Sequence, residues 1–332
     1  MTPAIEGHGI TKTYGAETDQ PVEALKGIDL SVPEGQIFGY LGRNGQGKST
    51  TVRILTGLSL PTAGTARVAG LDVVTQRRDV QAQIGVTLQD VALDDLQTGR
   101  EHLVLVSSLW GHSRRAARAK ADELLEEFGL TAAAGRLIRN YSGGMRRRLD
   151  LATSLLNEPR VLFLDEPTTG LDPQSRRALW GRIRQLRTDG ATVFLTTQYL
   201  EEADELADEL AIIDRGEILA QGTPDQLRSS FGTTRVSVRL DDPATRAKAH
   251  QTLGEGVEPD AAWLRFEVAE PSVAAQRVSR LGADGITPDE ISVHTSSLED
   301  VFLDLTGTGI NGNTEPADAT QDAPTRPEAV AA

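Results

Sequence analysis

The sequence predicts an α/β fold, in which strands and helices alternate around one phosphate-binding loop, followed by a small α+β domain. Three stretches predict it. The run Gly42-Arg43-Asn44-Gly45-Gln46-Gly47-Lys48-Ser49-Thr50 matches G-x-x-x-x-G-K-[ST] and lies between a short apolar strand, residues 36–41, and helically spaced residues 51–55. Residues 160–164 form an apolar strand that ends in the adjacent carboxylates Asp165 and Glu166. From about residue 229 the pattern changes to short alternating strands and helices of a separate unit.

Strand, glycine-rich turn and helix start aim backbone N–H groups and a positive helix end at an anion. Gly42, Gly45 and Gly47 let the backbone curl around phosphates where a Cβ would obstruct it. Lys48 would neutralise the β- and γ-phosphates, and the Ser49 hydroxyl would hold Mg²⁺.

The other elements follow in order. Residues 9–14 read as an edge strand and residues 27–32 as a second strand, with Pro33-Glu34-Gly35 as the turn into the loop strand. They predict an antiparallel β subdomain beside the nucleotide. Tyr14 reads either as a ring stacked on adenine or as an ordinary half-buried aromatic. Residues 64–68 and 84–88 return to strand, the second ending at Gln89. A glutamine at a strand's C-terminal end can reach Mg²⁺ or the attacking water; alternatively it is a solvated loop residue.

Thr98 to Glu101 has capping-box spacing and opens a helix through Leu103, Val106 and Trp110. Residues 113–128 form a second helix with Ala117, Leu124, Leu125 and Phe128 inward. The mostly helical block 92–157 interrupts the α/β pattern as an inserted subdomain. It includes Tyr141-Ser142-Gly143-Gly144-Met145, where Ser142 is a natural N-cap and two glycines leave bare N–H groups. This is either a second anion site or a capped helix start. Arg146, Arg147 and Arg148 read as a solvated or partner-facing helix face.

In the 160–166 strand, Asp165 would hold Mg²⁺ through water and Glu166 would polarise the attacking water. Helices follow over 174–187 and 200–210, the second with its acids on the wet face and Leu200, Ala203, Leu206, Ala207 and Leu210 inward. A buried strand, 191–196, lies between them and leads to Gln198. Residues 211–213 and 217–219 flank the hairpin turn Asp214-Arg215-Gly216.

Composition bounds the partners. A chain of 332 residues suggests two domains, and 39% hydrophobic residues are enough for most of it to fold. The formal charge of −14 argues against a nucleic-acid partner, which needs a clustered basic surface. There is no cysteine, so disulfides and thiolate metal sites are excluded. His8, His102, His112, His250 and His294 have no ligand spacing, so no metal besides Mg²⁺ is expected. Residues 1–13 carry no apolar signal core, and no run approaches the roughly 18 apolar residues of a membrane span. The expectation is a soluble cytosolic polypeptide that can dock on something insoluble.

Residues 5 to about 228 resemble the ATP-binding subunit of an ABC (ATP-binding cassette) transporter. The order carries the match: the loop at 42–50, Gln89, Ser142-Gly143-Gly144, Asp165-Glu166, Asp172, and a polar residue at 198. The resemblance implies a P-loop NTPase cassette with a RecA-like core, an antiparallel β subdomain and a helical subdomain. It makes Tyr14 the adenine-stacking aromatic, Gln89 the Q-loop, residues 141–145 the signature motif, Asp172 the D-loop and Gln198 the switch position.

Three departures stand out. Tyr141 and Met145 replace the usual ends of Leu-Ser-Gly-Gly-Gln, and Arg43 and Gln46 stand where Pro and Ala are usual. Gln198 replaces histidine; it can donate a hydrogen bond to the γ-phosphate but carries no proton or charge, which shifts hydrolysis onto Glu166. Residues 196–204 and 140–149 resemble the daunorubicin/doxorubicin-resistance branch of ABC exporters, which makes Gln198 a branch feature.

In such proteins two copies pair head to tail, with ATP and Mg²⁺ between the P-loop of one and Ser142-Gly143-Gly144 of the other. The resemblance therefore implies a homodimeric ATPase at the cytoplasmic face of the cell membrane. It would power drug or antibiotic efflux through a separate integral-membrane permease docked near Gln89 and the helical insert. Alternatives are a lipid or glycan exporter, or a soluble ABC ATPase acting on ribosomes or DNA. Residues 229–308 are expected to form an α+β domain, in a ferredoxin-like arrangement, that resembles the accessory domain of the same branch through residues 298–303. Regulating, dimerising and bracing the cassette all remain open as its role. Residues 309–332, rich in Ala, Pro, Thr and acids, read as a disordered tail.

Overall fold

The structure is a computed structural model that describes residues 3–18, 20–90, 92–231, 234–268, 271–307 and 310. The reading of a disordered tail over 309–332 lies outside these residues, Ile310 excepted.

The chain opens with β1 (Ile5–Tyr14), β2 (Val22–Val32), β3 (Ile37–Leu41) and α1 (Lys48–Leu55). Next come β4 (Ala63–Val68), β5 (Leu71–Asp72), α2 (Arg77–Gln83) and β6 (Ile84–Thr87). The outer antiparallel sheet has the order β2-β1-β4-β5. The sequence reading made β1 an edge strand, but it lies between two partners, Ile5 facing Val32 on one side and Val68 on the other. The second partner arrives more than sixty residues later, so periodicity within β1 could not reveal it.

A mostly helical stretch follows: α3 (Gly99–Leu109), α4 (Arg114–Glu127) and α5 (Gly143–Ser154). Thr98 and Glu101 close a reciprocal capping box on α3, and Ser113 caps α4. Leu103, Leu124 and Leu149 from these helices share one core with Leu164 and Ile183.

The α/β pattern then resumes with β7 (Val161–Asp165), α6 (Pro173–Thr188), β8 (Thr192–Thr197), α7 (Leu200–Leu206), β9 (Glu209–Asp214), β10 (Glu217–Gly222) and α8 (Pro224–Phe231). The central sheet has the order β10-β9-β3-β8-β7-β6, and only β10 runs antiparallel to its neighbour. Every residue of β3, β7 and β8 is buried, as expected of parallel strands covered on both faces. The rings of Phe38, Tyr40 and Phe163 gather on Phe194 with centroids 5.4–5.7 Å apart. Parallel pairing puts the C-terminal ends of β3, β6, β7 and β8 at one sheet edge, where ligands bind in such folds.

The helix expected to run to residue 210 stops at Leu206. Ala207 turns extended, and Asp208 exchanges hydrogen bonds with the Ile37 backbone at 2.9 Å in both directions. That exchange draws Leu210 into β9, beside β3.

The C-terminal part comprises β11 (Thr234–Arg239), α9 (Pro243–Leu253), β12 (Val257–Asp260), β13 (Trp263–Val268), α10 (Pro271–Ala283), β14 (Glu290–Thr295) and α11 (Leu298–Thr306). Its antiparallel sheet, ordered β12-β13-β11-β14, has the ferredoxin-like βαββαβ topology. The sequence reading lacked β12, whose Pro259 is tolerated because the strand lies at the edge. The last helix, α11, returns to the first part of the chain: Leu298, Val301 and Phe302 are buried with Leu41, Ala203, Leu210 and Leu227.

Candidate functional site

The loop after β3 forms as its glycines require. Gly47 has φ +103° at the N-cap of α1, and a Cβ there would come within 2.6 Å of the Ala24 carbonyl oxygen. Lys48, 4% exposed, donates to the carbonyls of Gly42 at 2.8 Å and Arg43 at 3.0 Å, and pairs with Glu166 Oε1 at 3.0 Å. Burial pulls the Lys48 ammonium below its ordinary pKa, while the Glu166 and Asp165 charges oppose that pull.

Asp165 and Glu166 lie at and just beyond the end of β7, 2% and 5% exposed. Thr196 orients both: its hydroxyl donates to Asp165 Oδ1 at 2.5 Å, and its oxygens accept from the Glu166 N–H at 3.1 Å. Glu166 has φ +49°, a left-handed conformation that costs a non-glycine residue roughly 1–3 kcal/mol. Asn44, Gly45, Gly47, Lys48, Ser49, Thr50, Gln89 and Glu166 face one cavity of about 350 Å³. Strand ends far apart in sequence thus converge on one anion-binding loop.

Other residues expected at the site lie outside that cavity lining. Ser142, Gly143 and Gly144 form the start of α5, the first two exposed and Gly144 half-buried, with the Ser142 hydroxyl accepting from the Met145 N–H at 3.3 Å. Asp172 caps α6 by accepting from the Ser175 N–H at 2.9 Å, and the Ser175 hydroxyl and backbone hold its carboxyl below the usual range. Tyr14 is 41% exposed, with the Lys12 ammonium 5.0 Å from its ring centroid. Gln46 is turned away, its amide oxygen accepting from the Arg215 N–H at 2.5 Å in the β9–β10 turn. Gln198 is half-buried between β8 and α7.

A family model described as ABC transporter matches residues 25–169, and one described as the C-terminal domain of DrrA1-3-like ATP-binding proteins matches 222–306. The daunorubicin/doxorubicin resistance ATP-binding protein DrrA of Streptomyces peucetius is 45% identical over 92% of this chain and 93% of its own. The chain belongs to the ABC transporter ATP-binding proteins. The Nod factor export ATP-binding protein I of Ralstonia nicotianae is 39% identical over 92% of the chain and 94% of its own length. Among solved structures, a dimeric ATP-binding cassette in a post-hydrolysis state bound to ADP and Pi superposes with a TM-score of 0.61 at 25% identity. That superposition covers 66% of this chain and 98% of the other.

Within this ABC subunit the oxygen donors fit Mg²⁺: the cavity offers the Ser49 hydroxyl and the Gln89 amide, with the Asp165 carboxylate at the same sheet edge.

Three functional candidates were missed from sequence. Arg147, read as part of a solvated or partner-facing face, is 5% exposed and turns its guanidinium inward to the Glu166 carbonyl. Glu202, read as part of a wet face, is fully buried and accepts from the Trp180 indole at 2.9 Å. Asp150 lines a cleft of about 400 Å³ with Leu58, Ile84, Leu88, Asp90 and Trp110, and burial pushes its carboxyl up to about 6. For Arg147 and Asp150, only the apolar spacing Leu149, Leu151, Ala152 beside them hinted that α5 is buried on more than one side.

Proposed function

We propose that this chain is the ATP-hydrolysing subunit of an ABC exporter that drives drug or antibiotic efflux through a separate membrane permease. The observation that carries the reading is the separation of two phosphate-binding elements. The loop cavity with Lys48 and Glu166 is one; the Ser142-Gly143-Gly144 helix start, outside that cavity, is the other. Two copies paired head to tail bring the missing half to each nucleotide, so that ATP closes the dimer and hydrolysis opens it.

Lys48 and the loop N–H groups bind the phosphates. Ser49, Gln89 and, through water, Asp165 would hold Mg²⁺, which neutralises charge on the transferring phosphate. Glu166 accepts a proton from the attacking water, and Gln198 donates a hydrogen bond to the γ-phosphate. Arg43, Gly45 and Thr50 contribute backbone, Tyr14 an adenine platform, and Asp172 a contact to the opposite copy. The domain bounds in this reading are 1–228 for the cassette, with a helical subdomain at 92–157, and 229–308 for the accessory domain.

No described helix is long and apolar enough to cross a membrane, so the reading assigns a peripheral place at the cytoplasmic face, on a separate permease. The cleft beside Gln89 is the docking place. Leu58, Ile84 and Trp110 would take the apolar side of a short permease helix, and Asp90 and Asp150 a basic residue on it. Co-purification with the permease, followed by ATPase assays with candidate drugs, tests the reading. Export of a lipid or glycan is the second reading, favoured by the Nod factor relative. Stimulation by such a substrate and by none of the drugs would select it.

A further inference from the structure

Arg147 projects from the same helix whose first turn carries Ser142, Gly143 and Gly144, and all five of its N–H donors are used. Nε donates to the Pro167 carbonyl at 2.7 Å. Nη1 donates to the Leu88 carbonyl at 2.7 Å and faces Asp150 Oδ2 at 3.4 Å. Nη2 donates to the carbonyls of Asp165 at 3.0 Å and Glu166 at 3.1 Å. One planar group therefore joins the Leu88-Gln89 loop, the Asp165-Glu166-Pro167 run and α5.

A buried guanidinium is costly unless each donor is met, and four of the five partners here are backbone carbonyls of catalytic loops. The arrangement accounts for the backbone of Glu166. Its N–H is held by Thr196 and its carbonyl by Arg147, so the left-handed turn is fixed from both sides. In that turn the carboxylate meets Lys48 inside the cavity. On its other side Arg147 touches Leu88 and Asp150, both of which line the docking cleft.

We propose that Arg147 is a positioning residue for Glu166: it locks the turn that aims the carboxylate and ties that turn to the cleft, so that a permease helix seated there acts on Glu166 through Arg147. The inference rests on the docking reading above and deepens it. A lysine could not replace it, because three donors radiating from one nitrogen cannot reach four carbonyls spread over two segments.

Single-turnover hydrolysis and ATP binding by the full chain test it, with Arg147→Lys made in two backgrounds. In the wild-type background the hydrolysis rate is expected to fall about 10-fold or more while ATP affinity stays within about 2-fold. In the Glu166→Gln background the same change should lower the residual rate no further, because the carboxylate it positions is gone. Arg147→Gln, which keeps a planar donor, should recover part of the rate. A wild-type rate in Arg147→Lys, an equal fall in both backgrounds, or a matching loss of ATP affinity would each overturn the proposal. The docking reading is measured separately, by permease capture with Leu58→Glu. Loss of the kinetic effect with capture intact removes only the role of Arg147.

Discussion

Lys48 Nζ and Glu166 Oε1 lie 3.0 Å apart with both side chains buried, so the proposed phosphate-binding cation and the proposed base are each other's counter-ion. In the proposed reading, a γ-phosphate drawn to Lys48 would compete with Glu166 and free its carboxylate for water. Glu166→Gln should therefore keep ATP binding, lower hydrolysis by about 10²-fold or more, and trap a dimer with Mg-ATP. Light scattering and a phosphate-release assay check it. A monomer that hydrolyses at the normal rate would remove the base role from Glu166.

Gln198 follows a strand whose Thr196 orients both acids. If Gln198 donates to the γ-phosphate as proposed, Gln198→Ala should slow turnover about 10-fold with a smaller change in KM for ATP. Unchanged turnover rejects a switch role.

Asp150 provides a test through pH. Burial raises its folded pKa to about 6, opposed by Arg147, while its ordinary value is 3.8. Between those values the folded state binds the proton more tightly than the unfolded state, so this group makes stability fall as pH rises through that window. The cost is fully present above about pH 6 and on the order of 3 kcal/mol. Asp150→Asn should flatten that slope, so its stability relative to wild type improves from pH 4 to pH 7.5. Urea unfolding at both pH values measures it; a parallel shift at both would contradict the assignment.

Glu202 is fully buried and accepts from Trp180 Nε1 at 2.9 Å. Glu202→Ala leaves the indole N–H unmet and opens a cavity, and should cost about 1–3 kcal/mol, read as a lower Tm. Glu202→Gln keeps an acceptor and should cost less at pH 7.5. Burial raises the pKa of Glu202, so its carboxylate also weakens the fold as pH rises above the ordinary glutamate range. An equal Tm for both variants would show that the indole contact contributes little.

The fold and much of the site were legible because they depend on local patterns. Loop glycines, an apolar strand before two acids, and caps at Thr98, Ser113 and Ser142 each state their geometry within a few residues. What failed were features decided by a distant partner. β1 gained its second neighbour from β4, Leu210 was claimed by β3 through Asp208, and Arg147 and Glu202 were buried by loops remote in sequence. A charged residue reads as solvated until the carbonyls or indole that satisfy it are known.

The returning helix α11 has a consequence for anyone cutting this chain into parts. Phe302 and Val301 roof over Ala203 on α7, one turn beyond Gln198, and over Leu227 on α8. A fragment ending near residue 228 would bare that greasy patch close to the β8–α7 turn that carries Gln198. Its behaviour would then report the missing roof as much as the engine beneath.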